Sequence, residues 1–257
     1  MRFSVEMLLS GSKLVIPSSY RRNILSLIKE AINPDQSGTE IFNKYYTPNT
    51  RKIKPFTFSV SFKTNNGQAE KGFIHLADSK LKLHFSASDP VFLIYVYNGL
   101  VQLKKDYPLF PGLKAKVGHF NLEQQRIIRD QEVILKTFSP ILVRDTGKDR
   151  KTQGYLTPES LEYMDRLYHS VRYMCNKLLD GDYQLKRDDF AAELINVKTT
   201  HISHYTEKNA PRDSKKEMIE ATSGTLKIQA PDYILQLIYD AGIGAKRSQG
   251  FGMLEML

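Results

Sequence analysis

The chain has 257 residues and carries 37 Lys and Arg against 28 Asp and Glu, a formal charge of +9 with a pI near 9.4. That length suits one large domain or two small ones, and no apolar run reaches the roughly 20 residues that a bilayer-spanning helix needs. Cys175 is the only cysteine, which excludes an internal disulfide and a cysteine-rich zinc site, and MRFSVEMLLSGSKL at the start lacks the apolar core of a signal peptide, so a cytoplasmic protein is expected.

Phe3, Val5 and Met7 alternate with Arg2, Ser4 and Glu6, the period of a half-buried strand. Pro17 with Ser18 and Ser19 offers a helix start, and Ile24, Leu25, Ile28, Ala31 and Ile32 follow at helical spacing until Asn33-Pro34 ends the run. The polar, aromatic-spotted stretch from Asp35 to Pro55 reads as a long irregular loop, the kind that often carries function. FTFSVSF, Phe56 to Phe62, is a strand by alternation, with Asn65-Asn66-Gly67 as a turn. GFIHLA and KLKLHFSA read as a hairpin about Asp78-Ser79. Asp89-Pro90 caps a short buried helix, VFLIYVYNGL, and the last strand of this unit falls between Val101 and Ile128.

The order then recurs. EVILKTFSPILVR, Glu132 to Arg144, is strand-like, and a basic loop runs from Gly147 to Gly154. Thr157 and Pro158 open a helix whose apolar face is Leu161, Met164, Tyr168, Val171, Cys175 and Leu178. FAAELINVKTTHISHY and SGTLKIQA supply strands, Ala230-Pro231-Asp232 starts a last helix, Gly242 sits at its left-handed cap, and FGMLEML is the final strand. Two βαββαβ units in tandem give an α+β fold of two ferredoxin-like domains, 1–127 and 128–257, the fold shared by RNA-recognition modules.

Function is carried by charge and by one segment. The cations are dispersed, at Arg21-Arg22, Arg51 to Lys54, Lys148 to Lys151, Lys215 and Lys246-Arg247. A basic surface spread over a folded body suits a nucleic-acid partner, although a mild lysine excess on a solvated surface gives the same pattern. GIGAKRSQGFG, Gly242 to Gly252, packs four glycines and two adjacent cations into one stretch. A dinucleotide fingerprint fails because Arg247 stands where the third glycine belongs and the helix precedes the loop. A Walker loop fails because the glycine spacing is wrong and no helix follows Lys246-Arg247-Ser248. What fits is a flexible cationic connection, able to turn with positive φ and to present backbone N–H groups to a polyanion. A purely structural turn explains one glycine more easily than four.

GIGAKRSQGFGMLEML resembles the glycine-rich signature of the CRISPR-associated endoribonucleases that cut precursor CRISPR RNA within its repeat, members of the repeat-associated mysterious protein superfamily. MRFSVEM, YRRNILSLIKEAI, KPFTFS, SPILVR and LQLIYDAGIG agree in order, so the resemblance spans essentially the whole chain. It implies binding of repeat RNA along a basic face and metal-independent cleavage to a 2′,3′-cyclic phosphate, with no cofactor. It also implies delivery of the product to a larger interference complex, leaves monomer and homodimer both open, and calls for no membrane.

Such chemistry needs proton transfer and stabilisation of a dianionic transition state, which histidine and cationic side chains supply. In this family a histidine after the first helix often moves the proton, supported by a tyrosine and a lysine. Here the first histidine is His75, Lys29 stands at the helix position where the tyrosine often sits, and Lys54 precedes the FTFS strand. The catalytic candidates are therefore Lys29, Tyr45, Tyr46, Lys52 and Lys54, with a tyrosine as weak acid/base. The RNA-binding candidates are Arg21, Arg22, Arg51, Gly242, Gly244, Lys246, Arg247, Ser248 and Gly250. Repeat-RNA binding without cutting is the alternative.

The remaining constellations carry less. His201-Ile-Ser-His204 has metal-like spacing only on a helix, and it lies in an apparent strand, so no metal site is expected. His75 and His84 read as sheet residues, and Tyr45-Tyr46 suits base stacking as well as packing. Lys148, Arg150 and Lys151 read as a solvated loop, and the RNP signature of RNA-recognition modules is absent.

Overall fold

The alternation at the N-terminus is what builds the first sheet. In the computed structural model, which describes residues 1–33, 39–46, 52–65, 72–103, 106–146, 154–179, 183–204 and 217–257, Phe3, Val5, Met7 and Leu9 of β1 (Arg2–Ser10) point into a core. The elements that follow are β2 (Val15–Pro17), α1 (Arg21–Ala31), α2 (Thr39–Tyr46), β3 (Phe56–Thr64), β4 (Phe73–Ala87), α3 (Pro90–Gln102), β5 (Tyr107–Phe110) and β6 (Leu113–Leu122). Four antiparallel strands lie in the order β6-β1-β4-β3, with β2 and β5 added at the margins. With α1 between β1 and β3, and α3 between β4 and β6, this is the ferredoxin-like βαββαβ path. Phe56 stacks on Phe85 at 5.3 Å and on Phe92 at 5.0 Å, joining the sheet to α3.

The second unit repeats the path with β7 (Glu132–Thr137), β8 (Val143–Arg144), β9 (Tyr155–Leu156), α4 (Tyr163–Leu178), β10 (Ala191–His204), β11 (Glu217–Gln229), α5 (Asp232–Ala241) and β12 (Leu254–Met256). Its main sheet runs β10-β11-β7-β12, and β8 and β9 form a small separate ribbon. Tyr163, Leu167, Val171 and Cys175 of α4 and Ile234, Leu235 and Ile238 of α5 fill its core.

Three sequence expectations change. The hairpin about Asp78-Ser79 is one continuous strand, β4. Asp78 Oδ1 accepts from the backbone N–H of Lys80 at 2.9 Å, and the β3–β4 register shifts between Phe62 and Thr64, so the polar pair makes a bulge and not a reversal. The stretch expected to be irregular contains α2, which buries Ile41 and Tyr45. Thr157-Pro158 makes a turn before α4, whose first residue is Tyr163, and Leu161 is fully exposed. The cap at Asp89 is as expected: its Oδ1 accepts from Val91 N at 2.9 Å and Phe92 N at 3.1 Å, with Pro90 at the first helical position.

The other face of the first sheet is polar and lies under the second unit. Thr57 Oγ1 donates to the Phe251 carbonyl at 2.8 Å, Ser59 Oγ to that of Phe138 at 2.8 Å, and Ser86 Oγ to that of Asp240 at 2.7 Å. Arg2 donates to the Tyr239 carbonyl and lies 3.4 Å over that residue's ring. The three hydroxyls and Arg2 Nη2 are tolerable there because they find partners across the interface, while Arg2 Nε is buried without one among the described residues. Arg2 and Ser86 thereby cap the C-terminal carbonyls of α5, where a cation is also favoured by the helix dipole.

Candidate functional site

The site begins at the C-terminal end of α2. Tyr46 stacks on Phe42 at 5.5 Å, and two ammonium groups lie over its ring, Lys54 Nζ at 4.8 Å and Lys29 Nζ at 5.3 Å from the centroid. The ring's negative face is what lets two like charges share one place. The Tyr46 hydroxyl is buried without a hydrogen-bond partner among the described residues, and burial pushes its pKa strongly upward. Tyr45 packs edge-on against Phe92 at 5.3 Å and donates its hydroxyl to Asp89 Oδ2 at 3.2 Å. Burial is also the main reason its pKa rises. Lys44 Nζ shares Asp89 Oδ2 at 3.4 Å. The Tyr46 hydroxyl is thus enclosed and that of Tyr45 tied to Asp89, while lysines lie over both rings.

Lys54 also faces a cleft of about 400 Å³ between the two units. Lys52 and Lys54 line it from the segment before β3, Lys246 and Ser248 from the glycine segment, and Arg144 from the end of β8. Helix α4 closes it with Arg166, His169, Ser170 and Tyr173, the i, i+3, i+4, i+7 strip beside the apolar face. Two carboxylates lie beside this strip: Asp165 Oδ2 is 3.4 Å from His169 Nε2, and Glu162 Oε2 is 3.2 Å from Arg166 Nη2. Lys52 is shared with a second groove of about 470 Å³ that contains Lys44 and Lys177, so the basic surface continues past the cleft. Among the described residues, no three His, Cys, Asp or Glu side chains are placed to hold a metal ion.

The glycine segment sits differently from the expectation that it wraps a ligand. A Cβ on Gly252, whose φ is +69°, would lie 1.9 Å from the Ile243 carbonyl oxygen, and one on Gly250, at φ +87°, would lie 2.7 Å from the Phe58 ring. The glycines are required by close approach to the protein itself. Arg247 is 7 % exposed and donates to the Ala241 carbonyl at 2.8 Å, completing the cap of α5, and burial lowers its pKa. It touches the cleft wall as a structural group. Arg21 Nε donates to the Gly250 carbonyl at 3.2 Å and its guanidinium stands 5.0 Å over the Phe251 ring, pinning the segment to α1. Arg22 is exposed on α1, and Arg51 lies outside the described residues, as do Lys148, Arg150 and Lys151.

Of the residues singled out from the sequence, the fold therefore gathers Lys52, Lys54, Lys246 and Ser248 in one cleft, with Gly244 and Arg247 on its wall and Lys29 over the same Tyr46 ring as Lys54. Sequence reasoning missed Arg144, Arg166, His169 and Tyr173. The three on α4 were legible as a polar strip at helical spacing, once that helix was read on both faces.

Residues 122–256 match the family model described as CRISPR associated protein Cas6, C-terminal. The chain belongs to the Cas6 family. Members of this family are endoribonucleases that process CRISPR repeat RNA. Three solved structures share the Cas6 fold over the whole chain. A Cas6-related protein from Pyrococcus furiosus is 21% identical, with a TM-score of 0.80 and 100% of this chain and 98% of that chain covered. A RAMP protein described as binding different RNA substrates is 20% identical, with a TM-score of 0.78 and coverages of 100% and 99%. A CRISPR associated protein Cas6 is 19% identical, with a TM-score of 0.75 and the same coverages. No curated protein matches the chain. Among the described residues no helix is long and apolar enough to cross a membrane.

Proposed function

We propose that this Cas6 chain binds CRISPR repeat RNA across the interdomain cleft and cuts it without a metal, leaving a 2′,3′-cyclic phosphate. The observation that carries the reading is the convergence of Lys52, Lys54, Lys246, Arg144 and Arg166 on one cleft of about 400 Å³. In the reaction the 2′-oxygen attacks the adjacent phosphorus, the P–O5′ bond breaks, and the phosphoryl oxygens gain charge in the transition state. Lys54 and Lys246 approach the phosphate from opposite domains and stabilise that charge. The Tyr46 ring, over which Lys29 also lies, holds Lys54 at the cleft. The product passes to an interference complex.

The test is incubation of the protein with its cognate repeat RNA in EDTA, followed by analysis of the ends. A 2′,3′-cyclic phosphate, lost when the 2′-hydroxyl at the cut site is replaced by hydrogen, supports the reading. Tight binding with intact RNA overturns it in favour of a non-cutting repeat-RNA binder. The buried hydroxyl of Tyr46, in a segment without histidine, is the observation that favours that second reading.

A further inference from the structure

The lysines of the cleft supply charge, the Tyr46 hydroxyl is enclosed, and the Tyr45 hydroxyl is tied to Asp89. Among the described residues that line the cleft one carries an imidazole, and it comes from the second unit. His169 lies on the polar strip of α4, its side chain half exposed, with Asp165 Oδ2 3.4 Å from its Nε2 one turn earlier on the same helix. A carboxylate on one ring nitrogen orients the imidazole and leaves the other nitrogen for a ligand. The charged groups that line the same cleft are Arg166 on its own helix, Lys52 and Lys54 before β3, Arg144 at the end of β8, and Lys246. Tyr173 and the buried Arg247 complete that wall. Asp165 is the carboxylate placed at the ring.

We infer that His169 is the general acid of the cleavage step, an assignment that rests on the endoribonuclease reading above. As the 2′-oxygen bonds to phosphorus, its proton passes to water. As the P–O5′ bond breaks, the protonated ring gives its proton to the departing 5′-oxygen. The products are the cyclic phosphate, a 5′-hydroxyl and a neutral imidazole, which regains a proton from solvent. Asp165 acts as a positioning residue. The place of this histidine, on the second unit in the cleft that the lysines of the first also line, means that the two halves of the chemistry come from different domains.

The experiment uses the full chain and two repeat RNAs, one ordinary and one with sulfur replacing the bridging 5′-oxygen at the cut. A thiolate leaves without protonation, so it makes a general acid dispensable. His169→Ala should slow single-turnover cleavage of the ordinary RNA by about 100-fold or more, with about wild-type speed on the sulfur RNA. Affinity for an uncleavable 2′-deoxy RNA should change by less than about threefold, and His169→Gln should behave like the alanine variant. Equal slowing on both RNAs, or wild-type rates on the ordinary RNA, overturns the histidine assignment and leaves the endoribonuclease reading standing. A wild-type protein that leaves bound repeat RNA intact overturns both.

Discussion

At the scale of single residues, adjacent cations have opposite roles. Lys246 holds a left-handed backbone, at φ +53°, and its ammonium reaches the cleft, 5.4 Å over the Tyr155 ring. Arg247 turns inward and caps α5. Lys246→Ala should therefore weaken RNA binding and reduce the salt slope of log K by about 0.7–0.9, the contribution of one phosphate contact, with an unchanged melting temperature. Arg247→Ala should cost about 2 kcal/mol in chemical denaturation through the unpaired Ala241 carbonyl and the vacated volume. An unchanged salt slope for the first, or unchanged stability for the second, would reverse these roles. Tyr46 divides in the same manner between ring and hydroxyl. Tyr46→Phe keeps the surface on which Lys29 and Lys54 rest, so single-turnover cleavage should stay within about twofold, whereas Tyr46→Ala should lower it at least about tenfold. A large loss with phenylalanine would return the hydroxyl to the chemistry. The sequence exposed the lysines because cations beside a loop are visible as residue types. It hid the burial of Arg247, which depends on the carbonyl it meets at the end of α5, and it hid the cleft that His169 lines.

Secondary-structure elements were legible where their signals are local. Asp89-Pro90 announced α3 through side-chain capping chemistry, and Gly242 announced the end of α5, because both need only neighbouring backbone. The failures are at places where tertiary contacts outvote a local signal. Asp78-Ser79 has the composition of a turn, but Phe73 to Pro17 and Leu81 to Met7 pairings continue the strand on both sides. Short α2 has little helical periodicity to display, and Ile41 and Tyr45 hold it by packing on the first core. Asp89 ties these elements together, since one carboxylate caps α3 and receives both Tyr45 and Lys44 from α2. Asp89→Ala should cost about 1–2 kcal/mol in urea unfolding, the value of a lost cap with its tether. It should also lower cleavage, because α2 carries the ring beneath Lys54. Asp89→Asn keeps a capping oxygen and should lose less of both. Equal loss in the two variants would show that charge, not capping, fixes α2.

For the whole molecule, the cleft exists only while the two sheets keep their relation. Lys52 and Lys54 belong to one unit, and His169 and Lys246 to the other, so the polar interface beneath them sets the distance between the reacting groups. Its buried side chains, Arg2, Thr57, Ser59 and Ser86, all donate across to backbone carbonyls. Such bonds fix position more than they add stability. Glu123 stands at the edge of this interface. His84, 4.0 Å away, is the first cause that holds its carboxyl below the ordinary carboxylate range, and Arg2 adds to the effect. A carboxylate depressed in the folded state contributes stability that is complete above its unfolded value and is lost as the pH falls through the folded one. In urea titrations the gap between wild type and Glu123→Gln should be constant above about pH 5 and shrink towards zero as the pH falls below about 4. A gap that widens in acid would reverse the sign and remove Glu123 from the interface. Because His84 packs edge-on against Phe138 of the second unit at 4.4 Å, the same variant should loosen the cleft before it unfolds the chain. Repeat-RNA affinity should then fall at neutral pH in Glu123→Gln, although the substitution removes a negative charge. That direction separates a geometric effect on the cleft from a change in the electrostatic field, which alone would strengthen binding to a polyanion.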